Sequence, residues 1–230
     1  MVAIQLMLAQ FPKLEQWNLR PFVLRTQLYS SVKDRTTVDK ELEALKQQQV
    51  VRMFKLNSGR DDFAFSSSFL FLLLAQIDAA KQRMESKHSA DTTIVFDWFQ
   101  NYVLGSSPDL SISNSHLVSL LSRGGKTTDK QISVLINAGF LVRQMSDSED
   151  YWFSIPGIGW AMKNLTQGRK EVTQLLRKRQ SKEALLSVLE KRKLRSSSLG
   201  MRFHLRDLLG SSVLVSVETT SGALIRLAKR

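Results

Sequence analysis

The chain has 230 residues and no cysteine. Disulfides and cysteine-ligated zinc are therefore excluded, which fits a reducing compartment. Histidine is scarce as well. Only His88, His116 and His204 occur, and no pair has the spacing of metal ligands. The longest apolar run, Phe69–Ala75, is far too short to cross a bilayer, so no membrane partner is expected. Met1–Gln10 is apolar but lacks a basic n-region and a small-residue cleavage site, so it does not read as a signal peptide.

Catalytic motifs are missing too. No glycine-rich loop of the G-x-G-x-x-G form exists: Gly157-Ile158-Gly159 has no third glycine at the required place. Val2-Ala3-Ile4 is followed by Gln5 where a kinase needs lysine, and Asp62-Phe63 is followed by Ala64. His204-Leu205-Arg206-Asp207 has one residue too many between His and Arg, and it follows the Asp-Phe element where a kinase has it first. A kinase needs these parts together. No G-x-S-x-G nucleophile motif occurs either. The sequence therefore offers no catalytic residue, no metal ligand set and no cofactor motif. Asp147, Glu149 and Asp150 read as a solvated turn, because a calcium loop needs more oxygens in a fixed pattern.

Acidic residues are in short supply in one region only. Residues 1–162 carry 17 Lys and Arg against 16 Asp and Glu, whereas residues 163–230 carry 16 against five. Nearly all of the net charge of +12 thus falls in the last third. Such a concentration is the electrostatic footprint of a protein that meets a polyanion.

The most legible stretch is Ser113–Pro156. A helix is expected from about Asn114 to Leu121, then a Gly124–Gly125 turn. A second helix follows, with Thr128 and Gln131 spaced as a capping box and Ile132, Leu135 and Ile136 on one face. Gly139 stands where a left-handed C′ residue is needed. Strands Phe140–Met145 and Tyr151–Ile155 flank a polar tip at Ser146–Asp150. Helix, turn, helix and two-stranded wing make a winged helix, a module used on DNA and equally in protein–protein contacts.

The same order appears twice more. Upstream, Pro21–Val32 reads as a helix, Thr36 as the cap of a second one, and Val50–Leu56 and Phe63–Ser66 as strands around an Asn57–Asp62 turn. Phe69–Glu85 is a linking helix and Glu85–Thr92 a loop. The helix of the second unit that starts near Thr93 leads into a Gly105–Ser111 loop. Downstream, Gly157 and Gly159 mark a break, and a basic helix runs from about Gly168 to Arg179. Ala184, Leu185, Val188 and Leu189 recur at helical spacing, Met201–Leu209 is a further helix, and Val213–Val217 and Ala223–Leu227 are strands about a tight turn. The fold class expected is mainly α with small β wings (α+β), as three tandem winged-helix domains at 1–85, 93–165 and 168–230.

Basic side chains are the candidate nucleic-acid ligands. Arg177, Lys178 and Arg179 end one helix; Lys191, Arg192, Lys193 and Arg195 follow the next. Arg202 and Arg206, four apart, share a face of the helix at the recognition position of the third unit. Arg123, Lys126 and Lys130 form a weaker set in the second. Long cations of this kind reach phosphates, which gives affinity and salt dependence but little sequence reading. Double-stranded DNA is the partner expected, with RNA and homodimerisation left open. The alternative is a protein-interaction module whose basic third docks on an acidic protein surface.

Four peptides carry a resemblance: Phe22-Val23-Leu24-Arg25-Thr26-Gln27-Leu28-Tyr29, Asp34-Arg35-Thr36, Asp39-Lys40-Glu41-Leu42, and Thr219-Thr220-Ser221-Gly222-Ala223-Leu224-Ile225-Arg226-Leu227. From about residue 20 to 228 the chain resembles the serine/threonine-protein kinase 19 family. The resemblance implies three tandem winged helices without kinase activity, DNA binding and a place in the nucleus. It also implies a scaffold role in transcription-coupled nucleotide excision repair, bridging stalled RNA polymerase II, ubiquitin-ligase repair factors and the helicase of the general repair factor. Carried over to this chain, the family's DNA contacts point to Arg192, Lys193, Arg202 and Arg206.

Overall fold

The computed structural model describes residues 1–12, 21–32, 34–48, 50–56, 63–67, 69–85, 90–106, 109–144 and 149–228. In chain order the elements are α1 (Val2–Ala9), β1 (Val23–Leu24), α2 (Arg25–Ser31), α3 (Arg35–Gln47), β2 (Val51–Lys55), β3 (Phe63–Ser67) and α4 (Phe69–Glu85). Then come α5 (Ala90–Thr93), α6 (Val95–Trp98), a π-helical turn (Phe99–Val103), β4 (Ser111–Ser113), α7 (Asn114–Leu121), α8 (Asp129–Ala138), β5 (Leu141–Arg143) and β6 (Asp150–Phe153). The last part comprises α9 (Ile158–Arg177), β7 (Glu183–Leu185), α10 (Leu186–Glu190), α11 (Met201–Gly210), β8 (Leu214–Thr219) and β9 (Gly222–Leu227).

Among the described residues three small sheets repeat one topology, with strand orders β1-β3-β2, β4-β6-β5 and β7-β9-β8. In each, a short strand ahead of two helices pairs with the second arm of the wing that follows them, which is the central strand of the sheet. The registers Ile112↔Tyr151 and Ala184↔Ile225 show this antiparallel pairing in the second and third sheets. The fold is α+β, built from winged helices. The chain forms two compact units, one from Met1–Glu43, Asn57–Phe65 and Gly159–Arg230, the other from Ala44–Leu56 and Ser66–Ile158.

In the second of these units, α8 forms as its sequence dictates. The Thr128 backbone N–H donates to Gln131 Oε1 at 2.9 Å, completing a capping box at the helix start. Gly139 ends the helix at φ +87°, a conformation in which a Cβ would be strained. Ile132 and Leu135 are buried, and Gln131 Nε2 donates to the Asp91 carbonyl at 2.9 Å. The core is aromatic: Phe99 lies 5.8 Å from Phe140 and 6.3 Å from Phe153, centroid to centroid. Arg52 is buried beside it, with its guanidinium 4.3 Å from the Phe153 centroid and Nη1 donating to the Leu104 carbonyl at 2.9 Å. Burial lowers its pKa to about 10, against the raising effect of Asp109.

In the first unit, α2 and α11 pack together. Gly210 permits the approach, because a Cβ there would overlap the Thr26 carbonyl oxygen. Gln27 Nε2 donates to the Phe203 carbonyl at 3.1 Å. Phe11, Phe22 and Phe203 form a cluster with centroids 5.1 to 6.0 Å apart. Behind α11 a second apolar core joins Val172 and Leu176 of α9 with Ala184, Leu189, Leu205, Leu208, Leu214 and Ile225.

Several sequence-based expectations are corrected. Pro21–Val32 is not one helix: Val23–Leu24 is strand, and Gln27 Oε1 accepts the Leu24 N–H at 3.0 Å to start α2 only at Arg25. Thr36 lies inside α3, and Asp34 Oδ1 accepts its N–H at 3.0 Å. Ala184 and Leu185 belong to β7, not a helix. The break expected at Gly157–Gly159 is only Gly157, at φ +77°. The helix begins at Ile158 and buries Ala161, Met162, Leu165, Val172 and Leu176, which outweighs a glycine in its first turn. The turns expected at Asn57–Asp62 and over most of Ser146–Asp150 lie outside the described residues, as do residues 86–89 of the Glu85–Thr92 loop.

Candidate nucleic-acid interface

The connection between α10 and α11 carries the densest group of cations. Lys191, Arg192, Lys193 and Arg195 are exposed. The turn is held on α9 from below. The Glu171 carboxylate accepts the Arg195 N–H at 2.9 and 3.1 Å, the Ser196 N–H at 2.8 Å, and the Ser196 hydroxyl. Burial alone would raise the Glu171 pKa. The Ser196 and Arg195 hydrogen bonds and the Arg195 charge outweigh it and hold the carboxyl below its usual range.

Arg202 stands at the edge of this turn. Its Nε donates to Glu190 Oε1 at 3.1 Å, and its side chain is 58% exposed. One helical turn on, Arg206 Nη2 donates to Gln10 Oε1 at 2.6 Å. The Arg206 pKa is lowered by burial and by the neighbouring Arg202 charge, partly opposed by Glu190. The Arg202 charge beside Arg206 adds to a positive potential that an anion would relieve.

The rest of α11 is not free. Met201, Phe203, His204, Leu205, Asp207, Leu208 and Gly210 are buried, so the face turned to α2 cannot lie in a DNA groove. The sequence placed α11 at the recognition position of a winged helix; the structure packs most of the helix and leaves Arg202 exposed and Arg206 half-buried. Asp207, fully buried, accepts from Arg169 Nε at 2.6 Å, from Arg169 Nη2 at 2.9 Å and from Thr26 Oγ1 at 2.7 Å. His204 is also fully buried, with Nε2 2.7 Å from Ser197 Oγ. Its pKa is lowered to about 4, chiefly by burial and also by the Arg169 charge, against the raising effects of Asp207 and Glu171. Three of the four residues of the kinase-like His204–Asp207 tetrapeptide, His204, Leu205 and Asp207, are thus buried structural side chains.

A profile described as inactive serine-threonine protein kinase 19 matches residues 7–227. The chain belongs to this family. Among similar proteins is Winged helix repair factor 1 of Homo sapiens, 30% identical over 229 residues, covering 98% of this chain and 84% of that one. The Xenopus laevis protein of the same name is 29% identical over 229 residues, covering 99% and 83%. That of Dictyostelium discoideum is 25% identical over 250 residues, covering 97% and 63%. The family description, inactive, agrees with the broken kinase motifs, and the chain is not an enzyme.

The remaining candidates fall elsewhere. Arg177 closes α9, with Lys178 exposed and Arg179 half-buried beyond it. Arg177 also lines a cavity of about 880 Å³ with Lys182, Glu183, Ser212 and Arg226. In the other unit Arg123, Lys126 and Lys130 are exposed around the turn into α8. That helix has an opposite flank of different sign. Asp129, Glu149 and Asp150 line a cleft of about 460 Å³ with Asn114, Arg143 and Tyr151. A phosphate there would meet three carboxylates.

Two cations escaped the sequence reading. Lys163 and Lys170 are exposed on α9, seven residues from each other, and Arg177 is seven further on. Gln167 and Gln174 lie between them and are exposed too. The seven-residue spacing was visible in the sequence, but only a helix begun at Ile158 puts all five on one side. No helix among the described residues is long and apolar enough to cross a membrane.

Proposed function

We propose that this protein is a non-enzymatic nuclear DNA-binding scaffold that grips duplex phosphates with little sequence specificity. The observation that carries this reading is the exposed Lys191–Arg195 turn, fastened to α9 and flanked by Arg202. Long exposed cations beside a buried helix suit the phosphate backbone, which positions a protein without specifying a sequence. The covered face of α11 disfavours reading of base edges. Relatives named Winged helix repair factor 1 support a role in DNA repair. The family resemblance supports transcription-coupled nucleotide excision repair, with stalled RNA polymerase II, ubiquitin-ligase repair factors and the repair helicase as partners. The division into winged helices at 1–85, 93–165 and 168–230 belongs to the same proposal.

The test is charge reversal of Arg192, Lys193, Arg202 and Arg206 to Glu. Duplex binding should weaken alike on all sequences, and the salt slope should flatten by about 3 to 4. Unchanged binding would remove these residues from the interface.

A second reading is a protein-interaction module whose basic third docks on an acidic protein surface. The burial of α11, the helix that winged-helix proteins present to DNA, favours it. Capture of protein partners by a chain with no affinity for duplex at low salt would select this reading.

A further inference from the structure

Glu171 is an anion among cations, half-buried on α9 beneath the Lys191–Arg195 turn. A carboxylate beside a phosphate-binding surface should weaken binding by repulsion. Its geometry assigns it a different task. Its two oxygens collect both backbone N–H groups of Arg195 and Ser196 and the Ser196 hydroxyl. Two helical turns earlier on α9, Asn164 Oδ1 accepts the Ser198 N–H at 2.9 Å. Between these points Ser197 Oγ accepts the Leu199 N–H at 3.2 Å and lies against the buried His204 ring. Residues 195, 196 and 198 are therefore tied to α9 and residue 197 to α11, while Leu199 is bound back to Ser197.

We propose that Glu171 is a positioning residue for polyanion binding, which holds the backbone of the Lys191–Ser196 turn so that its cations are presented as one ordered surface. This rests on the phosphate-gripping reading. Multiple phosphate contacts by long side chains carry an ordering cost, and a turn already fixed at the backbone lowers it. Asn164 supports the far end of the same segment. The carboxylate is spent on N–H groups of the turn, so its charge is directed into the protein and away from a ligand. The held-down pKa of Glu171 agrees with a charge that these donors satisfy.

The two roles of an acidic side chain here predict opposite signs. If Glu171 only repelled phosphates, its neutralisation would tighten binding. As a positioning residue, its loss loosens binding although every cation remains. The experiment measures fluorescence anisotropy of a labelled random-sequence duplex with the full chain, Glu171→Ala and Glu171→Gln. Limited trypsin digestion of the same proteins without DNA runs beside it. The expected result is about tenfold weaker binding for Glu171→Ala. A smaller loss is expected for Glu171→Gln, which keeps one acceptor oxygen. Faster cleavage at Lys191–Arg195 in the alanine variant should accompany this. Equal or tighter binding by Glu171→Ala, with the wild-type chain binding well, overturns the positioning role and leaves the phosphate reading intact. A lowered melting temperature with unchanged affinity also overturns it, because that is a purely structural role. Absence of binding by the wild-type chain at low salt overturns the phosphate reading itself, and the positioning role with it. Should Glu171→Ala fail to fold, Glu171→Gln alone decides by the sign of its effect.

Discussion

Asp207→Ala is the most severe single change expected in the unit that holds the basic turn. The carboxylate is fully buried and accepts three hydrogen bonds, two from Arg169 and one from Thr26. It ties α11 at once to α9 and to α2. Removing one partner of a buried ion pair costs about 3–5 kcal/mol, because the other charge is stranded. The Arg169 side chain is 16% exposed, so water recovers part of that loss, and about 3 kcal/mol is the expected cost. Asp207→Asn keeps the shape and an acceptor for Thr26 and should cost less. The assay is urea unfolding followed by far-UV circular dichroism and tryptophan fluorescence. A double-mutant cycle with Arg169→Met should return a coupling of about 2 kcal/mol. A loss below about 1 kcal/mol for Asp207→Ala, or additive single changes in the cycle, would refute the idea that this pair fastens the helices.

Other perturbations have signs set by the structure. Gly168→Ala should destabilise by about 1–3 kcal/mol in thermal melts, although alanine is the better helix former, because a Cβ there overlaps the His204 ring; a gain in stability would contradict this packing. His204 has a folded pKa of about 4 against an ordinary 6.5. The unfolded chain therefore binds more protons between these values, and stability should fall as pH drops from about 6.5 to about 4, by up to about 1.4 kcal/mol per pH unit. Replacing His204 with Gln should remove that part of the slope in denaturation measured across this range. Gly139→Ala places a side chain at φ +87° with a Cβ 3.3 Å from Pro156 Cα, and should lower the stability of the unit containing α8 by about 1 kcal/mol, read from its urea midpoint.

What could be read from the sequence was what is encoded locally. Thr128, Gln131 and Gly139 state the two ends of α8, and the boundaries Asn114–Leu121 and Phe69–Glu85 were legible for the same reason. The short first strands were not: Val23–Leu24, Ser111–Ser113 and Glu183–Leu185 have two or three residues, too few for an alternating period, and exist only through partners far along the chain. The start of α9 was hidden by Gly157 and Gly159, whose local preference is overridden by the buried Leu165, Val172 and Leu176 stripe. The candidate interface was partly legible, since clustered cations are a matter of composition. That α11 spends its apolar face on α2 was invisible, because a buried helix face and one facing a DNA groove differ only in what lies opposite. Glu171 could not be singled out either, as its hydrogen bonds to Arg195 and Ser196 span 24 and 25 residues.

The most direct measurement is the salt dependence of binding between the intact chain and a random-sequence duplex, followed by fluorescence anisotropy. Six cations surround the α10–α11 connection: Lys191, Arg192, Lys193, Arg195, Arg202 and Arg206. At about 0.9 per neutralised phosphate, full engagement predicts a slope of log K against log salt near −5. Binding that falls with that steepness, equally on unrelated sequences, is the result expected of a phosphate-gripping scaffold. A slope near zero, or no binding at low salt, would contradict it and leave the basic third as a surface for acidic proteins.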